Sequence, residues 1–372
     1  MYNKLTLKKL MLESSFFLNK KVLITGNTGF KGSWLSVWLN LLGAKIYGLA
    51  LDPPTNPSLF EKAKLNKITV NNIIDIRDSE KVINLIEKIK PDFIFHLAAQ
   101  PLVKYSYSNP VETWQTNVIG TVNILESLRL LKNKCIGIII TSDKCYENQE
   151  WEWGYRENDK LGGSDPYSGS KGSAELAFNS YYKSFFSDSS LNNIRIASAR
   201  AGNVIGGGDW AKDRIVPDCI KAWSQKMSVI IKSPESTRPF QHVLEPLSGY
   251  LSLAEQLTFN SKLSGQSFNF GPSSNSNYKV IDVVKELSKS WGESNWEVQL
   301  NKNIYSETKL LKLNCDKSLS LLNWQPNLDF KTTMELTSSW YYDFYNKKKF
   351  DVLEKCQSQI KKFLLNKKSS KK

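Results

Sequence analysis

A short apolar run, three glycines and a helical pattern constrain the fold of this chain most strongly. The run KVLIT (residues 21–25) has no polar interruption inside it, which is typical of a parallel strand buried on both faces. It leads directly into Gly26, Gly29 and Gly32, and then into SWLSVWLNLLGA, whose apolar residues recur at helical spacing. A strand, a glycine turn and a helix in this order predict a dinucleotide-binding unit.

The glycine positions have a physical reason. The pyrophosphate of a dinucleotide lies against backbone N–H groups at a helix N-terminus, and a Cβ at Gly26 or Gly29 would hinder that approach. Gly32 would let the helix lie close to the strand. The spacing is G-x-x-G-x-x-G rather than G-x-G-x-x-G, and a glycine turn alone could be a simple break in the chain. The flanking strand and helix favour the dinucleotide site.

Strand and helix patterns alternate through the first two hundred residues. Apolar runs that predict strands are KIYGLALD, ITVNNIIDIRD, PDFIFHLAAQ, IGIII and IRIASARA, with amphipathic helical patterns such as SEKVINLIEKIK and PVETWQTNVIGTVNILESLRLL between them. The alternation predicts an α/β fold with a doubly wound parallel Rossmann-type sheet, whose ligands bind at the carboxyl ends of the strands. A later strand pattern, SFNFGP, predicts a return to this sheet, so that a smaller C-terminal substrate-binding domain is interleaved with it. The predicted organisation is an N-terminal extension (1–20), a dinucleotide-binding Rossmann domain (21–200, with a returning segment at about 240–271), a mainly substrate-binding domain (201–345) and a Lys-rich C-terminal helix and tail (346–372).

Charge and residue usage limit the function classes. The net charge is +14 and the isoelectric point about 9.3, but the excess lysines are scattered between core segments and dense only near the C-terminus, which favours a solvated surface over a nucleic-acid face. Five cysteines lie far apart without a C-x-x-C spacing, so neither a disulfide framework nor a zinc site is indicated. The chain has two histidines, which give little support to a histidine-based metal cluster or to a Ser-His-Asp triad. We therefore expect no metal.

No apolar run approaches the ~20 residues of a membrane span, and the apolar stretch near the N-terminus is too short and interrupted for a signal peptide. We therefore expect no membrane partner and a cytoplasmic protein.

Acidic and small residues follow the predicted strands where a dinucleotide would lie. Asp52 comes 26 residues after Gly26, close to where an acid binds the adenosine ribose hydroxyls and disfavours a 2′-phosphate; the alternative is a turn former before two prolines. Asp75 is a candidate for the adenine amino group, and the small Ala98 and Ala99 would let the chain pass close under the cofactor. The predicted cofactor-binding residues are Gly26, Asn27, Thr28, Gly29, Phe30, Lys31, Gly32, Asp52, Asp75, Ile76, Leu97, Ala98, Ala99, Tyr167 and Lys171.

The stretch from Thr141 to Lys171 carries the residue types that hydride chemistry needs. A hydroxyl, an acid and an amine (Ser142, Asp143, Lys144) end the IGIII run, and a Tyr-x-x-x-Lys pair follows where the pattern turns helical. A tyrosine acts as a base only if its pKa falls from ~10, and a cation four residues away on the same helical face would lower it. Lys171 would be that cation for Tyr167 and could also hold the nicotinamide ribose. The alternative is an exposed Tyr and Lys on a polar helix.

Several segments together resemble the extended short-chain dehydrogenase/reductases, over about residues 21–340. They are TGNTGFKG, DIRD, HLAAQ, the serine after the fifth strand and the Tyr-x-x-x-Lys pair. More narrowly, GNTGFKGSWLS, ALDPPTNPSLFE, HLAAQPLV, TSDKCYEN, RAGNVIGGGDW and RPFQHVLEPLSGY resemble the nucleotide-sugar 4,6-dehydratases of this family. The resemblance implies an NAD-dependent hydro-lyase that converts CDP-glucose to CDP-4-keto-6-deoxyglucose in deoxysugar biosynthesis. It also implies a homodimer formed through the 111–131 helix and the helix that contains Lys171.

Asp143 and Lys144 are the residues that would separate a dehydratase from a plain dehydrogenase. Once C4 of the sugar is a ketone, the C5 proton is acidic, and loss of the C6 hydroxyl needs a base and an acid. The wider dehydratase family typically has an Asp-Glu pair for this, whereas this chain has Asp-Lys, as in the CDP-glucose subgroup. Lys144 is a base only when neutral; otherwise it stabilises the enolate, and a water or another group removes the proton.

The remaining predictions concern the sugar nucleotide. Arg214 and Arg238 are candidates for the diphosphate, because guanidinium forks match phosphate oxygens. Asn203 and the backbone of the glycine loop (206–208) could face a pyrophosphate, or the loop could be a flexible connection. Asn117 has two possible interpretations: a buried amide whose hydrogen bonds are satisfied within the protein, or a residue that acts beside the site. The predicted substrate-binding residues are Gln100, Asn117, Asn203, Arg214, Arg238, Gln241 and His242, the last of which is also expected to order its loop.

Two other functions remain open at this stage. Within enzymes, the alternative is a nucleotide-sugar 4-epimerase or a 4,6-dehydratase for another nucleotide sugar. Outside enzymes, it is a basic scaffold that keeps a vestigial fold and binds a partner or nucleic acid through its C-terminal lysines.

Overall fold

The computed structural model describes residues 15–188, 193–273, 278–299 and 310–369. The predicted N-terminal extension lies mostly outside the described residues. The strands are β1 (Lys21–Thr25), β2 (Lys45–Ala50), β3 (Thr69–Ile73), β4 (Phe93–His96), β5 (Cys135–Ile140), β6 (Ile194–Ala201), β7 (Val204–Ile205), β8 (Val229–Ile231), β9 (Thr237–Arg238), β10 (Gln241–His242), β11 (Ser267–Phe270), β12 (Tyr278–Lys279) and β13 (Trp296–Val298).

The helices surround these strands. They are α1 (Phe30–Leu41), α2 (Leu59–Lys62), α3 (Ser79–Ile89), α4 (Val103–Ser108), α5 (Pro110–Trp114), α6 (Gly120–Leu130), α7 (Pro166–Tyr181), α8 (Ile215–Ser224), α9 (Leu244–Phe259), α10 (Val280–Trp291), α11 (Asp316–Leu322), α12 (Phe330–Asn346) and α13 (Val352–Ser369). The predicted single helix after β4 is interrupted, because a π-helical segment (Gln115–Ile119) joins α5 to α6.

A seven-stranded sheet forms the centre of the molecule, and all of its strands are parallel. Its order is β11-β6-β5-β4-β1-β2-β3, which confirms the predicted doubly wound fold class. The strand order reverses between β1 and β4, and such a reversal opens a crevice at the carboxyl ends of the strands. The glycine turn after β1 and the chain after β4 border that crevice.

Two hydrophobic layers cover the two faces of this sheet. On one face, α1 and α9 bury Trp34, Leu35 and Leu247. On the other face, α3, α6 and α7 bury residues that include Ile86 and Leu125. β4 and β5 are buried along their whole length, and because both faces are covered, these strands read as continuous apolar runs rather than as alternating ones.

The second half of the chain leaves the sheet and returns to it. Short strand pairs (β7 with β10, β8 with β13, β9 with β12) and α8, α10 and α12 lie beyond β6. The chain then returns, because β11 pairs in parallel with β6 after α9 has packed on the sheet. The exact domain boundaries stay a prediction. No helix in the described part of the chain is long and apolar enough to cross a bilayer.

Candidate active site

The glycine turn after β1 packs closely against the chain after β4, at the bottom of the crevice. Gly26 has a φ of +71°, and a Cβ there would lie 2.8 Å from the Ala98 nitrogen, while a Cβ at Gly32 would lie 2.2 Å from the Gly26 oxygen. The packing of the protein itself therefore requires both glycines, a reason for Gly26 that the sequence did not reveal. At Gly29 the nearest atom would be 3.4 Å away, so this glycine leaves room for a ligand.

The N-terminus of α1 has the properties of an anion site. Its N-cap, Gly29, provides no side-chain hydrogen bond, and no acidic residue lies in the first turn. The first N–H groups of a helix have no intrahelical partner, and together with the helix dipole they favour a phosphate. Asp52 is exposed just beyond β2. These features fit a dinucleotide whose pyrophosphate lies on α1 and whose adenosine ribose meets Asp52.

Asp75 is only partly available at the adenine end of this crevice. Its carboxylate accepts hydrogen bonds from the Arg77 backbone nitrogen (2.9 Å) and from Arg77 Nη2 (2.5 Å), and the hydrogen bonds and charge of Arg77 hold the pKa of Asp75 below its usual value. An adenine amino group would have to share this carboxylate with Arg77. The role of Asp75 stays a prediction.

Ser142, Asp143 and Lys144 are brought together by a short turn after β5. Ser142 Oγ donates to Asp143 Oδ1 at 3.0 Å and accepts from the Lys144 backbone nitrogen at 3.2 Å. Ser142 is 8% and Asp143 3% exposed, whereas Lys144 is half-buried. The turn therefore presents a hydroxyl, a carboxyl and an amine within three consecutive residues.

Asp143 lies in an environment that favours its protonated form. Burial raises its pKa and outweighs the opposing charges of Lys144 and Arg238. Its Oδ2 atom is buried without a hydrogen-bond partner among the described residues. A Cβ at Gly202 would lie 2.6 Å from this oxygen, so Gly202 makes the space for the carboxyl group.

Tyr167 and Lys171 start α7, and neither is exposed. The helix is capped by Asp165, whose carboxylate accepts from the backbone nitrogens of Tyr167 and Ser168 at 2.9 and 3.0 Å. Tyr167 is 8% and Lys171 6% exposed. The alternative of an exposed pair on a polar helix is therefore wrong.

The prediction that Lys171 lowers the pKa of Tyr167 is also wrong for the chain alone. Burial raises the pKa of Tyr167 to about 12, against the lowering effects of the Ser142 hydrogen bond and the Arg214 charge. Burial likewise lowers the pKa of Lys171 to about 8, and burial with the nearby Lys171 and Arg214 charges lowers that of Lys31 to about 8. Desolvation, which depends on the whole fold, exceeds the local effect of one cation.

A buried ion pair that the sequence did not reveal supports this region from below. Arg200 Nη2 donates to Glu175 Oε2 at 2.7 Å, and the two side chains are 1% and 0% exposed. Glu175 also accepts from Thr141 Oγ1 at 2.5 Å, and Arg200 Nη1 donates to the Tyr146 hydroxyl at 2.8 Å. The pair thus joins β6 to α7, and Thr141 links the end of β5 to the same carboxylate, one helical turn after Lys171. The sequence does contain a signal for this pair, because Glu175 stands four residues after Lys171 and Arg200 is one of two arginines in the strand IRIASARA.

We expect Arg200→Met to destabilise the protein by ~3–5 kcal/mol, because it leaves the Glu175 carboxylate buried and unpaired. The urea or thermal unfolding midpoint measures this loss. Arg129→Met is the matched control, since Arg129 pairs with Glu126 at the surface and its loss should cost under ~1 kcal/mol. The double variant Arg200→Met/Glu175→Gln should recover part of the stability. An Arg200→Met protein as stable as Arg129→Met would contradict this account.

The arginines predicted to bind diphosphate both lie at this site. The charge of Arg214 lowers the pKa of Tyr167 and that of Arg238 lowers the pKa of Asp143, each against the larger effect of burial. Arg214 Nη1 donates to Asp209 Oδ2 at 2.7 Å. Asn203 is half-buried after β6, and its carbonyl accepts from the Gln241 nitrogen.

Four of the predicted substrate-binding residues make hydrogen bonds within the protein itself, and their role toward a substrate stays a prediction. Asn117 is 2% exposed and uses its amide on the Gln100 backbone and on Ser170 Oγ (2.9 Å), so it is a satisfied buried amide. The Gln100 side chain is engaged in turn by Leu102 and Thr113.

Gln241 and His242 are buried as well. Gln241 Nε2 donates to the Phe270 carbonyl at 2.9 Å, and His242 Nδ1 accepts from the Leu244 nitrogen at 3.3 Å. These hydrogen bonds order the loop, while Gln241 Oε1 and His242 Nε2 are buried without a hydrogen-bond partner among the described residues, so a role toward the substrate stays a prediction for both.

The glycine loop 206–208 is closely packed within the protein, and its role toward a pyrophosphate stays a prediction. A Cβ at Gly207 would lie 2.0 Å from the Trp340 ring, and Gly208 has a φ of +86°. Trp34 Nε1 donates to the Gly207 carbonyl at 2.9 Å. The glycines are therefore explained by close packing between α1 and α12. Within the described ranges, no three His, Cys, Asp or Glu side chains come together as metal ligands.

The fold and the site together define a class of protein. A parallel seven-stranded sheet with a glycine turn after β1, a serine after β5 and a buried Tyr-x-x-x-Lys pair at the start of α7 is the arrangement of the extended short-chain dehydrogenase/reductases that the sequence resembles. The sequence profile of the GDP-mannose 4,6 dehydratase family matches residues 23–337. The chain belongs to this family.

Comparison with characterised proteins agrees with this assignment. The chain is 46% identical over 334 residues to a CDP-glucose 4,6-dehydratase of Salmonella typhimurium, covering 89% of this chain and 93% of the relative. It is 25% identical over 339 residues to a UDP-glucose 4-epimerase of Mycoplasma pneumoniae, covering 88% and 98% of the two chains.

Solved structures show the same fold. A dTDP-glucose 4,6-dehydratase from Bacillus anthracis, in complex with NAD, superimposes with a TM-score of 0.71 at 20% identity, covering 90% of this chain and 99% of the other. A UDP-glucuronic acid 4-epimerase from Bacillus cereus, in complex with UDP-glucuronic acid and NAD, gives a TM-score of 0.74 at 23% identity, covering 87% and 100%.

Proposed function

We propose that this protein is a hydro-lyase that converts CDP-glucose to CDP-4-keto-6-deoxyglucose with NAD as its cofactor. The observation that carries the proposal is the Asp143 carboxyl group, which is buried, has a raised pKa and keeps Oδ2 free of protein partners among the described residues. Loss of a sugar hydroxyl needs an acid that still holds its proton, whereas epimerisation does not. The relative at 46% identity supports the choice of CDP-glucose.

Ser142, Tyr167 and Lys171 would carry out the oxidation at C4. Tyr167 removes the C4 hydroxyl proton, and Ser142, which is buried beside Asp143, holds the reacting oxygen. NAD, when bound, supplies the acceptor for the C4 hydride and the donor that returns it to C6. Because burial keeps the Tyr167 pKa at about 12 in the chain alone, the tyrosine becomes a base only in the assembled complex. Lys171 is buried one turn along the helix and contributes positive charge.

Asp143 and Lys144 would carry out the elimination. The C4 ketone acidifies the C5 proton, and Asp143 protonates the leaving C6 hydroxyl from its Oδ2 atom. Lys144 assists removal of the C5 proton, either as a neutral amine or by stabilising the enolate, and a proton returns to C5 once hydride has added to C6. Its backbone nitrogen is held by Ser142, so the oxidation and elimination groups share one turn.

Lys144→Ala tests the assignment of the C5 step. We expect exchange of the C5 hydrogen in deuterated water and product formation to fall together by ~10²-fold, a typical loss for a proton-transfer group, while cofactor reduction persists. Lys160→Ala is the control, because Lys160 is an exposed lysine that pairs with Glu147, just after the turn that contains Lys144. Wild-type exchange and product formation in Lys144→Ala would remove Lys144 from the mechanism.

The direct test of the proposed function is incubation with a panel of CDP-, UDP-, dTDP- and GDP-linked hexoses and either NAD or NADP, read by mass spectrometry. We expect CDP-glucose to lose one water in the presence of NAD. An epimer keeps its mass, so an unchanged mass with altered sugar stereochemistry would favour the 4-epimerase alternative. Water loss from a different nucleotide sugar alone would overturn the choice of nucleotide.

We also propose that the protein is a homodimer. Exposed apolar side chains lie on α5, on the π segment 115–119, on α7 and on the π-helical turn Tyr182–Phe186 that follows α7. The Trp114 ring lies 3.3 Å from the Cβ position of Gly169, so α5 and α7 adjoin. An apolar patch of this kind marks a protein interface. Its exposed members are Val111, Trp114, Ile119, Leu176 and Phe185.

Leu176→Asp is expected to convert the dimer to a monomer, because it places a charge within this exposed apolar patch. Sedimentation equilibrium measures the mass in solution. Leu319→Asp is the control, since Leu319 is similarly exposed on α11. A monomeric wild type, or a Leu176→Asp variant that keeps the dimer mass, would contradict the proposal.

Finally, we propose a cytoplasmic enzyme that supplies deoxysugar synthesis, including that of lipopolysaccharide. All five cysteines are free thiols, which suits a reducing compartment. The 4-ketone of the product is an electrophile, so the next enzyme would be a reductase or a group-transferring enzyme that acts at or beside C4.

A further inference from the structure

The Arg214 guanidinium is held along one edge by Asp209. Arg214 Nη1 donates to Asp209 Oδ2 at 2.7 Å, and the Asp209 Oδ1 atom accepts from the Ala211 nitrogen at 3.0 Å. The Asp209 side chain is 7% exposed and that of Arg214 35%. Among the described residues the protein engages Nη1, which leaves the Nε and Nη2 edge as a fork for two oxygens of a ligand.

The backbone of Asp209 is held by a tyrosine from a distant helix. The Tyr341 hydroxyl, on α12, accepts from the Asp209 N–H at 3.0 Å and donates to the Asp209 carbonyl oxygen at 2.5 Å. It also lies 3.2 Å from the Gly206 carbonyl oxygen. Tyr341 is 0% exposed, so no water can replace this hydroxyl without a rearrangement of the loop.

The loop 206–208 that precedes Asp209 is closely packed on both sides. The Trp340 ring fills the space over Gly207, and Trp34 of α1 binds the Gly207 carbonyl. Asp209 follows two residues later, where Tyr341 holds its backbone and Ala211 and Arg214 hold its carboxylate. Tyr341 on α12 therefore holds Asp209 in place, and Asp209 in turn holds Arg214.

We propose that Asp209 and Tyr341 are positioning residues that aim Arg214 at the diphosphate of the nucleotide sugar. The inference rests on the proposed function, in which a sugar nucleoside diphosphate occupies the crevice beside Tyr167. An arginine side chain that is already ordered loses less conformational entropy when it binds a phosphate. The ion pair also keeps the guanidinium on the Tyr167 side of the site, where its charge acts on the phenol.

A double-mutant cycle tests the inference. Tyr341→Phe and Asp209→Asn are each expected to raise the dissociation constant of CDP-glucose and its KM about tenfold, with kcat changed less than KM, because the lost interaction is made in the ground state and in the transition state alike. In an Arg214→Ala background neither substitution should weaken binding further. The affinity for NAD, measured by calorimetry, should stay at the wild-type value in both single variants.

Tyr345→Phe is the matched control. Tyr345 lies one turn further along α12, and its hydroxyl accepts from Trp210 Nε1 at 3.1 Å without contact to Asp209. It should leave CDP-glucose binding unchanged. If Tyr341→Phe does not fold, Asp209→Asn alone decides.

Additive effects in the Arg214→Ala background, or an equal loss of NAD affinity, would overturn the positioning role. A wild type that does not convert CDP-glucose would instead overturn the proposed function, and the cycle would then be run with the nucleotide sugar that the wild type does convert.

Discussion

Tyr167→Phe is expected to abolish reduction of bound cofactor on addition of CDP-glucose and to lower turnover by ~10²–10⁴-fold, the range for loss of a general base. The phenol is buried at the start of α7, where Ser142 and the charge of Arg214 lower its pKa against the larger effect of burial. The phenylalanine ring keeps the packing and removes the group that accepts the C4 hydroxyl proton. Stopped-flow absorbance of the reduced cofactor measures the step directly.

Tyr181→Phe is the control for this experiment. Tyr181 lies on the same helix and its hydroxyl lies 3.4 Å from Glu126 Oε2, outside the crevice. It should reduce cofactor at the wild-type rate. Undiminished cofactor reduction in Tyr167→Phe would show that another group is the base at C4.

Asp143→Asn is expected to separate oxidation from elimination. The asparagine fills the same space against Gly202 but has no proton of carboxylic acid strength to give to the C6 hydroxyl. Product formation should fall ~10²–10⁴-fold, while cofactor reduction continues, so that reduced cofactor accumulates during a single turnover.

The contrast with Tyr167→Phe makes this result specific, because that variant should not accumulate reduced cofactor at all. Loss of cofactor reduction in Asp143→Asn would place Asp143 in the first step. Normal product formation would remove it from the mechanism.

The sequence predicted the central sheet because its strands are buried on both faces. β1 and β5 read as unbroken apolar runs, and the glycine turn and the i,i+4 pair of Tyr167 and Lys171 are local patterns. The turn after β5 was also recognisable, since its polar residues interrupt an apolar run at the carboxyl edge of the sheet.

What the sequence did not predict depends on contacts between distant segments. Tyr341 meets Asp209 across 132 positions, and no local pattern marks that pair. No local pattern marks Gly202, although a Cβ at this position would collide with Asp143 Oδ2. His242 and Asn117 suggested chemistry by residue type, but the fold buries both and satisfies Asn117 internally.

The predicted direction of the Tyr167 pKa shift was wrong for the same reason, because it too depends on contacts between distant segments. One cation four residues away suggested a lowered pKa for Tyr167, but the tertiary structure removes the phenol from water, and this larger effect raises its pKa to about 12. Local spacing identifies which groups meet, whereas burial decides the direction in which their pKa values move.

The most direct test of the central claim is a single turnover with CDP-glucose that carries deuterium at C4. If oxidation at C4, elimination and hydride return occur within one closed site, the product loses one water and its deuterium appears in the C6 methyl group. Deuterium lost to solvent, or retained at C4 in a sugar of unchanged mass, would contradict the account.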